Sequence, residues 1–122
     1  MRLKERVENG VAVYALAGEI DFHFAPVLRT VLQGKVKEQC PALILDFSEV
    51  QFIDSRGIAV VLEYLRDSES YGGRVCLAAL NAEVKPIIDT VRLETVMPIF
   101  LSVAEAAEAM NSQSPPTADP SG

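Results

Sequence analysis

Six consecutive residues near the middle of the chain, Ala42-Leu43-Ile44-Leu45-Asp46-Phe47, carry a single polar side chain, Asp46. A run this short and this apolar suits a strand covered on both faces, as a central strand of a parallel sheet is. The periodicity changes on either side of it. Upstream, from Pro26, the residues Val27, Leu28, Val31, Leu32 and Val36 recur at helical spacing, with Arg29, Thr30, Gln33 and Lys37 on the other face. Downstream, from Ile58 to Tyr71, Ile58, Val61, Leu62 and Leu65 oppose Glu63, Arg66, Asp67 and Ser70. A buried strand between two amphipathic helices is the repeating unit of an α/β fold with right-handed crossovers.

The remaining segments extend this pattern. Leu3 to Val7 and Val11 to Gly18 flank Asn9-Gly10, a dipeptide suited to a tight hairpin. Arg74 to Leu80 reads as a second buried strand after the helix stop at Gly72-Gly73. Val84, Ile87, Ile88 and Val91 return to helical spacing, and Pro86 requires that helix to begin near Glu83. Pro98 consigns Val96 to Leu101 to a sheet edge, and Ser102 with Glu105 has capping-box spacing ahead of Ala106, Ala107 and Met110. The expected order is ββαβαβαβα, a mixed, mostly parallel sheet of about five strands with about four helices. Residues 1–110 form one domain, and 111–122, with three prolines and no large apolar side chain, read as a disordered tail.

Composition narrows the function. The 122 residues carry a net charge of −6, so nucleic acid and anionic membrane surfaces are poor partners. No apolar stretch approaches the roughly 20 residues of a membrane span, and Met1 to Gly10 has no signal-like apolar core. A cytoplasmic protein is the expectation. Cys40 and Cys76 stand apart within or beside apolar runs, which favours two reduced, buried thiols over a metal pair.

Chemistry concentrates at Asp54-Ser55-Arg56-Gly57, at the start of the second helix. Asp54 or Ser55 can cap that helix, and a serine on such a corner is open to modification. A helix start also attracts anions. Asp21, His23 and Ser55 supply the residue types of a hydrolase triad, but there is no Gly-x-Ser-x-Gly elbow and Asp21 is too close in sequence to orient His23. The acidic pair and late lysine of a phosphoaspartate receiver are missing where required, and no glycine-rich phosphate loop occurs. No cofactor is expected.

Several segments in order resemble the STAS family, and within it the stand-alone bacterial anti-sigma factor antagonists. Gly18-Glu19-Ile20-Asp21, followed by Phe22-His23-Phe24-Ala25, is similar to the family's Gly-Glu-Leu-Asp segment before the first helix. Ile44 to Ser48 with Phe52-Ile53-Asp54-Ser55-Arg56-Gly57-Ile58 resembles its signature strand, loop and Asp-Ser-x-Gly helix start. Tyr71 to Val75, Val84-Lys85 and Leu93 resemble its later strand and helix.

This resemblance implies an anti-sigma factor antagonist. Its unmodified form would bind an anti-sigma factor serine/threonine kinase and release a sigma factor. Phosphorylation at Ser55 would end binding, and a metal-dependent serine phosphatase would reset it. The resemblance places Asp21, His23, Asp54, Arg56, Gly57 and Ile58 around the partner interface. ATP and magnesium would belong to the kinase. Two residues depart from the family pattern: Arg56 replaces a small residue, and Phe24 replaces a Ser or Thr cap. Arg56 could pair with a phosphate, contact the partner or obstruct the kinase. Phe22 and Phe24 share one turn; exposed, these rings would be binding anchors, but ordinary packing is the favoured role. The alternative is a non-switching STAS accessory or scaffold subunit of a lipid-transport ATPase or sensory complex.

Overall fold

The computed structural model describes residues 2–112. Its elements are β1 (Arg2–Glu8), β2 (Val11–Ile20), α1 (Ala25–Lys37), β3 (Ala42–Ile53), α2 (Ser55–Glu69), β4 (Arg74–Ala78), α3 (Lys85–Thr90), a 3-10 turn at Leu93–Thr95, β5 (Ile99–Phe100) and α4 (Val103–Ser112). This is the order read from the sequence. The strands lie side by side as β1-β2-β3-β4-β5, with β1 antiparallel to β2 and the other pairs parallel. At the hairpin Asn9 and Gly10 both adopt positive φ, +51° and +83°, the requirement that makes Asn-Gly a tight-turn dipeptide.

Strand alternation sorts the core into two layers. Tyr14, Leu16, Leu43, Leu45, Phe47, Val75 and Leu77 face α1, α2 and α3, where they meet Leu28, Leu32, Val61, Tyr64 and Ile88. Val11, Val13, Ile44, Cys76 and Ala78 face the other way, against Ala106, Ala107 and Met110 of α4. β3 is central, as its apolar run requires. Lys35 of α1 is nearly buried and bonds the Glu5 carboxylate, pinning edge strand β1 to the helix layer. Cys40 and Cys76 are buried free thiols, and burial pushes the Cys76 pKa up to about 12.

Three elements differ from expectation. β3 does not stop at Phe47 but continues to Ile53, with register shifts against β2 between Ala15 and Ala17 and between Gly18 and Glu19. Phe47 and Ser48 occupy the first irregularity, where the Asp46 carboxylate accepts the Ser48 N–H at 2.9 Å. Beyond the end of β4, the Asn81 side-chain amide donates to the Ser48 and Val50 carbonyls, at 3.0 and 2.7 Å. The helix after β4 begins at Lys85 and not near Glu83, because the Asn81 side chain accepts the Glu83 and Val84 N–H groups in a turn ahead of it, and it ends at Thr90, shortly before Arg92 turns left-handed at φ +56°. β5 has two residues only and lies at the edge, next to Pro98. The Ser102 hydroxyl accepts the Glu105 N–H at 3.1 Å as expected. Asn111 and Ser112 still belong to α4, and the rest of the expected tail, 113–122, lies outside the described residues.

Candidate functional site

β2 and β3 end in register at Ile20 and Ile53, and the Asp54 N–H donates to the Ile20 carbonyl at 3.1 Å. Two turns therefore begin side by side at the carboxyl ends of neighbouring parallel strands, the position where open α/β sheets hold their ligands. An aspartate opens each turn.

Asp54 is the N-cap of α2. Its backbone is extended, and its carboxylate accepts the N–H groups of Arg56 and Gly57, each at 3.0 Å. Asp21 uses the same device, accepting from His23 at 3.0 Å and Phe24 at 3.2 Å. Slight desolvation pulls the Asp21 pKa upward. The N–H donors of Phe24 and His23, with the nearby imidazole, outweigh it and hold the carboxyl below its ordinary value.

Of the seven residues singled out from the sequence, Ser55, Arg56 and His23 are exposed, Asp21 and Asp54 are half-buried, and Gly57 and Ile58 are buried. Ser55 is the first residue of α2 and is exposed. Gly57 sits where α2 meets the end of β2. A Cβ there would lie 2.7 Å from both the carbonyl oxygen and a side-chain carbon of Ile20, and 2.8 Å from Ile53. Gly57 and Ile58 thus shape the turn from inside, while the other five lie at or near its surface. The helix start, read from sequence as attractive to an anion, is already mostly satisfied, because the Asp54 carboxylate takes two of its free N–H groups and the Ile20 carbonyl takes that of Asp54.

Phe22 departs from the packing role favoured from the sequence. It is 51% exposed, whereas Phe24 packs against the core. The Phe22 ring lies 4.0 Å from the His23 ring, and the Arg56 guanidinium stands 5.8 Å above its centroid. At an exposed site such a cation–π contact is worth about 0.5–1 kcal/mol. His23, Phe22 and Arg56 thus form one ridge across both turns.

The ridge separates two hollows. On one side is an open depression of about 460 Å³ lined by Gly18, Glu19, Asp21, His23, Phe24 and Gln51. On the other, a groove of about 200 Å³ between α1 and α2 is lined by Phe22, Pro26, Arg29, Arg56, Ala59 and Val60. Arg29 is held there by Glu63 at 2.8 Å. The arrangement suits contact with another molecule more than catalysis. The His23 imidazole is 78% exposed, stacks on Phe22, and lies 3.8 Å from the Asp21 carboxylate, beyond hydrogen-bond length. Among the described residues no group of three or more His, Cys, Asp or Glu side chains could hold a metal, and no helix is long and apolar enough to cross a membrane.

Comparison with known proteins gives the family and the fold. The family model described as STAS domain matches residues 2–106. The anti-sigma F factor antagonist of Paenibacillus polymyxa is 29% identical over 103 residues, covering 82% of this chain and 88% of that protein. The crystal structure of an anti-sigma factor antagonist from Mycobacterium paratuberculosis superposes with a TM-score of 0.81 at 24% identity, over 90% of this chain and 93% of the other. The Bacillus cell fate determinant SpoIIAA in its phosphorylated form superposes with a TM-score of 0.68 at 23% identity, over 88% and 98%.

Proposed function

Because the chain belongs to the STAS domain family, we propose that it is an anti-sigma factor antagonist, a cytoplasmic binding protein switched by phosphorylation of Ser55. The unmodified form binds an anti-sigma factor serine/threonine kinase at the two Asp-capped turns and so frees a sigma factor. The kinase brings ATP and magnesium, and a metal-dependent serine phosphatase restores the unmodified chain. The similarity to proteins named anti-sigma factor antagonists supports the class of partner.

One observation carries the assignment of Ser55: it is exposed at the first position of α2, directly after the half-buried capping residue Asp54 and directly before Arg56, whose guanidinium stands over Phe22 of the neighbouring turn. Phosphorylation adds about −1.5 to −2 charges there. A partner packed over Ser55 would then meet like-charge repulsion and the cost of desolvating a dianion. The fold need not change, since Ser55 supports no core contact. On this reading Asp21, His23, Ser55 and Arg56 touch the partner, Asp54 fixes the loop, and Gly57 and Ile58 hold it in place.

Intact-mass spectrometry with peptide mapping, on protein from its native cell under stressed and unstressed growth, tests the switch. Phosphate on Ser55 that varies with condition is the expected result. No phosphate under any condition, with a stable partner co-purifying, would replace this reading with a permanent scaffold role. In binding assays with the co-purified partner, Ser55→Asp should bind far more weakly than Ser55→Ala.

A further inference from the structure

Resting on the reading of Ser55 as the phosphorylated residue, we infer that Arg56 is the internal counter-ion of the switch: a phosphate on Ser55 draws the Arg56 guanidinium off the Phe22 ring and dismantles the ridge joining the two turns.

Three observations lead there. The backbone donors of Arg56 and Gly57 at the helix start are spent on the Asp54 carboxylate, so a phosphate finds that part of the anion site filled. The neighbouring side chains Asp21 and Asp54 are acidic, so the added charge needs a cation from elsewhere. Arg56, the next residue along, can supply one. Among the ion pairs of the described residues none involves Arg56, whereas the other arginine in the adjoining groove, Arg29, is committed to Glu63 at 2.8 Å. The contact Arg56 makes with Phe22 is a solvent-exposed stack, and a phosphate accepting paired guanidinium bonds is the stronger attraction.

Phe22 would then keep His23 as a stacking partner and lose Arg56. Phosphorylation would change the shape of the ridge as well as its charge, and an Arg-for-small departure from the family pattern would become part of the switch. Arg56 acts here as a positioning residue: it touches the phosphate after transfer and takes no part in the transfer itself.

The test installs phosphoserine at position 55 during translation and follows its phosphorus resonance against pH, in the otherwise unaltered chain and in Arg56→Gln. Pairing should place the phosphoserine pKa about one unit lower in the chain that has Arg56. Arg56→Lys, which keeps the charge and loses the planar fork, should fall between. In parallel, the Phe22 ring-current shift on the Arg56 side-chain protons should disappear on phosphorylation. Identical titrations with and without Arg56, or a ring-current shift that survives, would overturn the inference. The two ideas fail separately. If the phosphoserine chain still binds the partner recovered from the native cell, the switch itself falls, whatever the titration. If binding is lost but the titrations coincide, only the role of Arg56 falls.

Discussion

The turns that precede α1 and α2 use one device to opposite ends. In each an aspartate follows the last residue of a strand and accepts two backbone N–H groups two and three positions on. Asp54 is itself the N-cap, so α2 starts immediately, and Gly57 lets it press against Ile20 and Ile53. Asp21 opens an extra turn instead. The Ala25 N–H reaches its carbonyl at 2.8 Å, and the helix that begins there has no side-chain cap of its own. The turn after β3 is therefore packed from beneath and offers the surface little besides Ser55 and Arg56. The turn after β2 is looser and holds Phe22 and His23 in solvent. One is a rigid mount and the other a display, and the Arg56–Phe22 contact joins them.

If that contrast holds, the largest effect comes from filling the space under the α2 turn. Gly57→Ala places a methyl 2.7 Å from the Ile20 carbonyl oxygen, which is backbone and cannot swing aside. A loss of about 3 kcal/mol by chemical denaturation is expected. A change under about 0.5 kcal/mol would mean that α2 can move away from β2 and that the mount is not rigid. Next comes the cap: Asp54→Ala should cost about 1–2 kcal/mol. Asp21→Ala should cost less, because its N–H partners lie outside the regular helix.

How much of this was legible in the sequence follows from the range of the interactions involved. The Asn-Gly hairpin, the central position of Ala42 to Phe47 and the edge position of the strand beside Pro98 are encoded within a few residues, and each is found. The continuation of β3 through Ser48, Glu49 and Gln51 was not legible, because alternation breaks at the register shifts. There a carboxylate and the Asn81 amide stand in for part of the regular ladder. Asp54 and Ser55 at the helix start were legible from local spacing and family resemblance together. The reason for Gly57 and the outward turn of Phe22 was not, since each depends on a contact between segments far apart in the chain.

Phe22 gives a sharper test of display against mount. Its ring is half exposed and its main partner is the Arg56 guanidinium, so Phe22→Ala should change stability by no more than about 1 kcal/mol. As an aromatic anchor, its loss should weaken partner binding by about tenfold or more. Phe24→Ala should reverse the pattern, because Phe24 packs against the core. Equal stability losses in both variants would mean that the α1 turn is as tightly mounted as its neighbour.

The smallest expected effect is the pH response of the display turn. The Asp21 carboxyl titrates below its ordinary value of 3.8 because the N–H donors of Phe24 and His23 favour the charged form over the opposing desolvation. A group whose pKa is depressed by folding stabilises the folded state fully above its unfolded value, and that contribution disappears as pH falls through the folded value. Between pH 5 and pH 2 the unaltered chain should therefore lose more stability than Asp21→Asn, whose amide oxygen can still accept but does not titrate. The difference should be confined to pH below about 4 and should diminish in high salt for the part contributed by His23. Parallel stability curves for the two chains across that range would show that the Asp21 carboxylate does not hold its turn, and that the resemblance between the two aspartates is one of geometry alone.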